Sequence, residues 1–417
     1  MCIIKEVIII IAFLLLVSTS IIYSVADEGW AIYLNPSNSY DKAFGVCGYG
    51  NYIYVVGYDS GWGDKGYRIE LYDKNSGRFI KTWRYNPSRD TDGFFDCIVV
   101  DGKLYVVGVD ASIDYGRWSI YVFDLNLTLL KTYTVNPSNL WDMPFYIVYA
   151  DGYLYIAGMD QRTNDSEWLV MKIRASDLEI IGEYNSNPSN SWDAPYSMGI
   201  NPSTGDIWVV GDRDKDYGHI EVLDKNLSIK KFLDTEYRLY GVTFDEDGNV
   251  YIVGENITYK FDKYGNIIAK KNIDGIGYKI LWNNHYLYIA AEEFVEGYWH
   301  HVLYILRDDL EPISKIILSR DVNANAYFCC GGKTFFDGEN MFFAGFICTT
   351  TSDYKWAIYS IPIYKFPREI GIRTIEYNIT ASREYTEENY VIVIGIIITI
   401  FIAILILKIR KRFHRVS

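Results

Sequence analysis

GVCGYGNYIYVVG, residues 45–57, is the stretch of sequence that decides the fold. It contains a turn and ends in a short strand signature, aromatic–Val/Ile–Val/Ala–Gly. Seven copies of this signature follow one another at intervals of 37 to 54 residues. They lie at 54–57, 105–108, 155–158, 208–211, 251–254, 288–291 and 342–345, and the sixth has lost its glycine. Self-similarity at such a period indicates a repeat architecture.

Each copy is preceded by a tight turn and another apolar segment. Residues that suit two-residue hairpin turns stand before four of the copies, as Asp101-Gly102, Asp151-Gly152, Asp247-Gly248 and Asp337-Gly338. An alternating strand follows each copy, and a fourth strand comes after it, for example at 67–72 and 79–83. Four short antiparallel strands per unit are typical of a propeller blade. The sequence therefore predicts an all-β, seven-bladed β-propeller over residues 27–367.

The two ends of such a ring have to be joined. Residues 29–34 form an apolar strand followed by Asn-Pro-Ser, and the same tripeptide follows the fourth strands of the first three blades, at Asn86, Asn136 and Asn187. We expect this N-terminal strand to supply the fourth strand of the last blade, which leaves no free sheet edge. Residues 361–366 are the competing candidate, although Pro362 disfavours a strand there.

The repeat at 45–57, with its turn before Tyr-Val-Val-Gly and a polar loop after it, resembles the seven-bladed β-propeller repeats of bacterial and archaeal surface proteins. The resemblance covers roughly residues 30–365. It implies a propeller displayed at the cell surface.

The ends of the chain predict its location. Residues 1–26 have the layout of a cleaved signal peptide, with an uncleaved membrane anchor as the alternative. Residues 390–407 are apolar, free of charge and long enough to cross a membrane as a helix. The basic tail at 408–417 marks the cytoplasmic side. We expect a single-pass cell-membrane protein with its N-terminal domain outside and a polar stalk at 368–389.

The formal net charge is −13 at pH 7. A protein that binds nucleic acid needs a cationic face to displace counterions from phosphate, and the sequence shows none before its short tail. Nucleic acid is therefore excluded as a partner.

Two sets of aspartates recur at matching positions in the loops of the repeats. The loops that enter each blade carry Asp41, Asp92, Asp142 and Asp193, and those after the signature carry Asp59, Asp110, Asp160 and Asp212. Carboxylates around a channel mouth could bind Ca²⁺, a cationic ligand or a sugar. The alternative is that each aspartate accepts backbone hydrogen bonds in its own turn.

Aromatic residues stand close to these acids. Tyr40, Trp141 and Trp192 precede the first set, while Trp62, Trp118, Trp168 and Trp299 lie in or near the second set of loops. Such side chains suit the apolar faces of sugars, but they also pack between blades. The candidate ligand-binding residues are Asp92, Asp142, Asp193, Asp110, Asp160, Trp141 and Trp192.

Cysteines and glycan acceptors are consistent with an extracytoplasmic domain. A two-residue loop at 338–339 would place Cys329 opposite Cys348, so we expect a disulfide bond there. Five Asn-x-Ser/Thr acceptors are present, at Asn126, Asn164, Asn226, Asn256 and Asn378.

Signatures of catalysis are few. His300-His301 is the one histidine cluster and lacks partners at metal-ligand spacing, and no nucleophile elbow or phosphate-binding glycine loop is present. The sequence therefore predicts a binding or scaffold module for an envelope protein or glycan, with no cofactor or metal evident beyond the Ca²⁺ alternative. The second hypothesis is an ectoenzyme, a glycan- or peptide-directed hydrolase or lyase that uses loop-face carboxylates. A third is a structural envelope component.

Overall fold

The computed structural model describes residues 29–112, 115–162, 165–319, 324–328, 332–350, 353–365 and 372–377. These residues form twenty-eight β-strands and a single 3₁₀ turn at Ile363–Lys365. The prediction of an all-β propeller is confirmed.

The strands form six sheets, numbered here in chain order. Sheet 1 consists of β2 (Lys42–Tyr49), β3 (Tyr52–Asp59), β4 (Gly66–Asp73) and β5 (Phe79–Tyr85). Sheet 2 consists of β6 (Gly93–Val100), β7 (Lys103–Asp110), β8 (Arg117–Asp124) and β9 (Leu129–Val135). Sheet 3 consists of β10 (Met143–Ala150), β11 (Tyr153–Asp160), β12 (Glu167–Arg174) and β13 (Ile180–Ser186). Sheet 4 consists of β14 (Ala194–Ile200), β15 (Ile207–Arg213), β16 (Tyr217–Leu223) and β17 (Ile229–Thr235).

The last two sheets have six strands each. Sheet 5 consists of β18 (Leu239–Phe244), β19 (Val250–Phe261), β20 (Ile267–Asn283), β21 (Tyr286–Val295), β22 (Tyr298–Arg307) and β23 (Pro312–Ile317). Sheet 6 consists of β1 (Gly29–Leu34), β24 (Asn325–Tyr327), β25 (Phe335–Phe336), β26 (Asn340–Thr350), β27 (Asp353–Pro362) and β28 (Ile372–Tyr377).

The predicted count of seven separate blades is wrong, because the structure has six sheets. The fifth and sixth copies of the signature both lie in sheet 5, on β19 and β21. They share this sheet because β20 runs without interruption from the end of the fifth repeat into the start of the sixth. Its first half pairs with β19 and its second half with β21. The pairing of β19 with β20 shifts register between Glu255 and Ile257, at the point where β20 passes from one repeat to the next.

Local sequence explains the hairpins inside each sheet. Asp101-Gly102 and Asp151-Gly152 both have positive φ, which matches the primed turns that suit the twist of two-residue hairpins. The second strands are apolar on both faces, and every residue of β3 except its first is buried. The fourth strands lie on the outside, so β5 is mostly exposed. The core therefore lies between neighbouring sheets.

The sheets close into a ring. First strands contact one another in succession from β2 to β6, β10, β14 and β18, and β2 contacts β26 in sheet 6. β1 pairs antiparallel with β27, from Trp30 opposite Ser360 to Leu34 opposite Trp356. The prediction that the N-terminal strand completes the last blade is therefore confirmed, and the alternative at 361–366 is not adopted.

The outer edge of sheet 6 is β28, which pairs in parallel with β1. Its six residues fall within the segment predicted to be a polar stalk. In the part of the chain that the structure describes, no helix is long and apolar enough to cross a membrane. The predicted signal peptide (1–26), transmembrane helix (390–407) and basic tail (408–417) lie outside the described residues.

Candidate functional site: the loop face and the channel

Two kinds of loop lie on the same side of the ring: those that enter the first strands, and those that join second to third strands. We call this side the loop face. The turns that join first to second and third to fourth strands lie on the opposite side, the turn face. All eight aspartates of the two repeated sets lie on the loop face, at strand ends or in the loops.

The aspartates of the entering loops make the same contacts in four repeats. Asp142 accepts hydrogen bonds from the amide of Ser138 at 2.9 Å, the hydroxyl of Ser138 at 2.7 Å and the amide of Gln161 at 3.0 Å. The equivalent partners are Ser37 and Ser60 for Asp41, Ser88 and Ala111 for Asp92, and Ser189 and Asp214 for Asp193. The serine four residues before each aspartate belongs to an Asn-Pro-Ser tripeptide. This motif therefore ties an entering loop to the loop after the signature.

These carboxylates are inaccessible. Asp92, Asp142 and Asp193 are all 0% exposed. Burial raises the pKa of Asp142 to about 6, against the opposing effect of its hydrogen-bond donors, and it raises the pKa of Asp92 to about 6 in the same way. The geometry agrees with the interpretation in which each aspartate caps its own loops. The ligand-binding role of these aspartates stays a prediction.

The second set of aspartates is paired with arginine in three repeats. Asp59 contacts Arg68 at 3.0 Å and Arg84 at 2.6 Å, and Asp110 contacts Arg117 at 3.0 Å. Asp160 pairs with Arg162. Each of these ion pairs joins an acid to a counterion of the same repeat.

Asp212 differs from the other members of the second set. It accepts hydrogen bonds from the amide of Ala194 and from the hydroxyl of Tyr196, at 2.8 and 2.9 Å. Burial raises the pKa of Asp212 to about 7.

The tryptophans divide into buried and half-buried groups. Trp118 and Trp168 are buried and donate their indole N–H groups to the carbonyls of Met159 and Asp212 in the next sheet. They are therefore packing residues between sheets. Trp141 and Trp192 are half-buried on the loop face, where Trp192 lies 5.5 Å from the Lys215 ammonium.

Aromatic rings fill the central channel. Every first strand in the first five sheets carries a β-bulge with an aromatic residue at the extra position. These residues, with one more after β24, form a chain of neighbouring rings with centroids 4.7 to 6.0 Å apart. In order they are Phe44, Phe95, Phe145, Tyr196, Tyr240, Tyr278 and Phe328. Sequence reasoning missed this set, although each of the first six lies ten to twelve residues before a signature copy.

A segment of sheet 6 closes the channel further. Lys333 donates its backbone amide to Asp96 and its ammonium to the carbonyl of Ile147, and the ammonium lies 3.6 Å from the Asp96 carboxylate. Lys279 donates to the carbonyls of Phe44 and Gly332. Five different sheets are thus linked through the middle of the ring, and the channel is packed with protein.

The loop face also carries exposed aromatic side chains. Trp62, Tyr115, Tyr217, Phe294 and Tyr298 are between 40% and 64% exposed, and all lie in or beside loops between second and third strands. Arg84 stacks on Trp62 with its guanidinium carbon 4.1 Å from the ring centroid. Of these five, the sequence singled out Trp62 alone. The other four could have been found by noting the aromatic residues in and beside each loop between a second and a third strand.

A disulfide bond joins Cys47 on β2 to Cys97 on β6, with Cα atoms 5.8 Å apart. It links the first strands of neighbouring sheets, and its 50-residue spacing equals one repeat. The predicted Cys329–Cys348 bond stays a prediction, because Cys329 lies outside the described residues. Cys348 lies opposite Asn325 in the ladder.

Three glycan acceptors, Asn126, Asn226 and Asn256, are exposed, whereas Asn164 and Asn378 lie outside the described residues. No group of three or more His, Cys, Asp or Glu side chains within the described ranges is arranged to hold a metal ion. The Ca²⁺ alternative stays a prediction.

Fold and site together define a β-propeller with a packed channel. No protein-family model matches the chain, and no curated protein matches it. Solved structures do match. The WD40 domain of Neurospora crassa Pan2 is 11% identical with a TM-score of 0.53, over 84% of this chain and 98% of that domain.

Two enzymes contain similar folds. Acylaminoacyl peptidase from Pyrococcus horikoshii is 13% identical with a TM-score of 0.47, over 76% of this chain and 50% of the peptidase. The polysaccharide lyase Uly1 is 11% identical with a TM-score of 0.48, over 76% of this chain and 89% of the lyase. The Pan2 domain supports the β-propeller fold alone at 11% identity, and the two enzymes add no further argument. The comparisons identify no repeat family, so the resemblance to surface-protein repeats is not confirmed at that level.

Proposed function

We propose that this chain is a membrane-anchored extracellular β-propeller that binds an envelope protein or glycan through its loop face. The observation that carries the proposal is a difference in exposure on that face. Its repeated acids are buried and hydrogen-bonded, while aromatic side chains are exposed beside them.

Exposed aromatics are the binding groups that this surface offers. Tyr115, at 64%, and Phe294, at 59%, are among the most exposed large side chains on the face. Aromatic rings combine a large apolar area with few rotatable bonds, and they dominate the energetics of many interfaces. They also stack on the apolar faces of sugars. A protein surface and a glycan are therefore the two ligands that suit the face.

The ectoenzyme hypothesis has less support. A general acid or nucleophile has to reach the substrate, and Asp92, Asp142 and Asp160 are each 0% exposed. Their oxygens accept hydrogen bonds from neighbouring groups of the loops. Catalysis by these residues would require the loops that they hold to come apart.

The membrane anchor and the extracellular location rest on the sequence at 1–26 and 390–417. The acidic balance of the chain and its glycan acceptors agree with that location. The disulfide bond between Cys47 and Cys97 is likewise of the kind that forms in oxidising compartments.

The test is site-specific photo-cross-linking on intact cells that carry the full chain. A photoreactive residue replaces Trp62, Tyr115 or Tyr298 in turn, and Tyr49 on the turn face, 51% exposed, is the control position. We expect the three loop-face positions to capture the same envelope protein or glycan and the control to capture none. Equal capture from Tyr49, or no capture from any loop-face position at good labelling yield, would overturn the proposal.

A further inference from the structure

A repeated contact ties neighbouring sheets together on the turn face. The tyrosine that begins each of the first three signature copies donates its hydroxyl to a carbonyl in the third-to-fourth turn of the next sheet. The pairs are Tyr54 with Leu125 at 2.8 Å, Tyr105 with Ala175 at 3.1 Å, and Tyr155 with Lys225 at 3.2 Å.

A buried leucine accompanies each of these contacts. The same third-to-fourth turns contain Leu127, Leu178 and Leu227, all with positive φ and all at most 6% exposed. A left-handed backbone is unfavourable for leucine, so its recurrence indicates that the buried side chain offsets the cost. Each leucine packs in the same hydrophobic cluster as the tyrosine of the preceding sheet.

Both elements of this contact are replaced where sheet 4 meets sheet 5. Trp208 stands in place of the tyrosine, and Gly265, with φ of 82°, stands in place of the leucine. Trp208 is fully buried, and its indole nitrogen has no hydrogen-bond partner among the described residues. The repeat therefore departs from its pattern twice at one junction.

A cleft lies at this junction. It contains about 560 Å³ of empty space, part of it open to solvent, and Trp208 forms part of its wall. The other polar and aromatic lining residues are Thr204, Asp206, Lys230, Lys231, Lys263 and Tyr264. A β-carbon on Gly265 would lie 3.1 Å from the Lys231 side chain, so this lysine occupies part of the space that leucine fills elsewhere.

The cleft is cationic, although the protein as a whole is acidic. Lys230 pairs with Asp206 at 2.7 Å. Lys231 donates to the carbonyls of Tyr264 and Gly265, and Lys263 makes a long 3.5 Å contact with the hydroxyl of Ser203.

Three ammonium groups thus line the cleft with a single carboxylate. Burial of Asp262 opposes a lowered pKa, but the hydrogen bonds that its carboxylate accepts from Asn266 and Tyr264 lower the pKa of Asp262, with a smaller contribution from Lys231.

We propose that this cleft binds an oxyanion group, a sulfate, phosphate or carboxylate, on the turn face between sheets 4 and 5. Lysine ammonium groups bind such anions as point charges. Tyr264, 70% exposed, provides a ring against which the rest of a ligand can pack. The site lies opposite the loop face and does not depend on the function proposed for that face.

The test is calorimetric titration of the full chain in detergent at low ionic strength, with inorganic sulfate, inorganic phosphate and glucuronate as three separate probes. We expect saturable 1:1 binding of at least one probe. The double variant Lys231→Gln/Lys263→Gln should bind it at least tenfold more weakly. Lys131→Gln is the matched control, because Lys131 of sheet 2 makes the equivalent contact with the third-to-fourth turn of sheet 3, a junction where tyrosine and leucine are both present. It should change the affinity by less than twofold.

A second variant restores the repeat pattern at the junction. Trp208→Tyr combined with Gly265→Leu should close the cleft and abolish binding while the melting temperature stays the same or rises. Binding of sulfate or phosphate alone would identify a free inorganic anion as the ligand, and binding of glucuronate alone a sugar-borne carboxylate. The proposal is overturned if no probe saturates, if Lys131→Gln weakens binding as much as the double variant, or if the restored junction still binds.

Discussion

The Asp142 carboxylate and the Ser138 hydroxyl are joined by a 2.7 Å hydrogen bond on the loop face. The same carboxylate also accepts the amide of Gln161, 19 residues further along the chain. One acid therefore fixes two loops of the same repeat. The arrangement recurs with Asp41, Asp92 and Asp193, so the loop face is built by a repeated structural contact.

Removing one of these carboxylates should destabilise the fold. Asp142→Ala leaves the half-buried amides of Ser138 and Gln161 without their acceptor, so we expect the free energy of unfolding to fall by about 1–3 kcal/mol. Chemical denaturation monitored by tryptophan fluorescence measures the change. Asp90→Ala is the control, because Asp90 is exposed, and it should alter stability by no more than about 0.5 kcal/mol. Equal losses of stability from the two substitutions would contradict a stabilising role for the contacts of Asp142 with Ser138 and Gln161.

Stability should also depend on pH through these buried acids. The pKa values of Asp41, Asp92 and Asp142 are about 6 in the folded protein, above the ordinary value of 3.8. Between these values the folded state binds more protons than the unfolded state. The contribution of these raised pKa values to the free energy of unfolding is therefore fully present below pH 3.8. It is lost as pH rises through about 6.

The measurement is the free energy of unfolding at several pH values between 4 and 7, for the wild type and for Asp142→Asn. The amide cannot titrate, so the variant should show a shallower decline with rising pH. Parallel curves would show that Asp142 keeps its ordinary pKa.

Much of the ring could be predicted from periodicity. The signature copies, the Asp-Gly turns and the N-terminal closing strand follow from local sequence and from the need to pair every edge. The aspartates could be placed on the loop face for the same reason. Their burial could not, because it depends on the Asn-Pro-Ser loop folding back over each carboxylate, and spacing alone does not report that contact.

Other features depend on contacts between distant parts of the chain. The number of sheets differs from the number of repeats because the strand β20 continues from the fifth repeat into the sixth. No local feature of the sequence indicates that a strand runs on in this way. Lys333 reaches Asp96 across 237 residues, a pairing that no local pattern indicates. The Cys47–Cys97 bond was predictable in principle, since a spacing of one repeat puts two cysteines on adjacent first strands.

The disulfide bond should contribute strongly to stability. It closes a loop of 50 residues, for which chain-entropy reasoning gives about 4 kcal/mol. Cys47→Ser/Cys97→Ser should lower the melting temperature, and a reductant should lower that of the wild type by more than that of the variant. Non-reducing peptide mapping should recover the two half-cystines as one linked peptide. Recovery of Cys47 as an alkylated thiol would contradict the bond.

The contact between Lys333 and Asp96 in the central channel should contribute as much to stability as the disulfide bond. Lys333→Met leaves the fully buried Asp96 carboxylate without its cation, so we expect a loss of about 3–5 kcal/mol. The double variant Lys333→Met/Asp96→Asn removes the uncompensated charge and should recover part of that loss. The denaturant midpoints of the wild type, the single variant and the double variant give the comparison. A double variant less stable than the single variant would contradict the pairing of Lys333 with Asp96.

The proposed function assigns the acids of the loop face to holding its loops together, and the exposed aromatic side chains to binding the ligand. Its most direct test measures the affinity of the captured envelope ligand for three proteins, well below their melting temperatures: wild type, Asp142→Ala, and Trp62→Ala/Tyr115→Ala. We predict that Asp142→Ala binds within about twofold of wild type, and that the aromatic variant binds at least tenfold more weakly, or about 1.4 kcal/mol. Loss of binding in Asp142→Ala with normal binding by the aromatic variant would contradict the account and return the ligand site to the carboxylates.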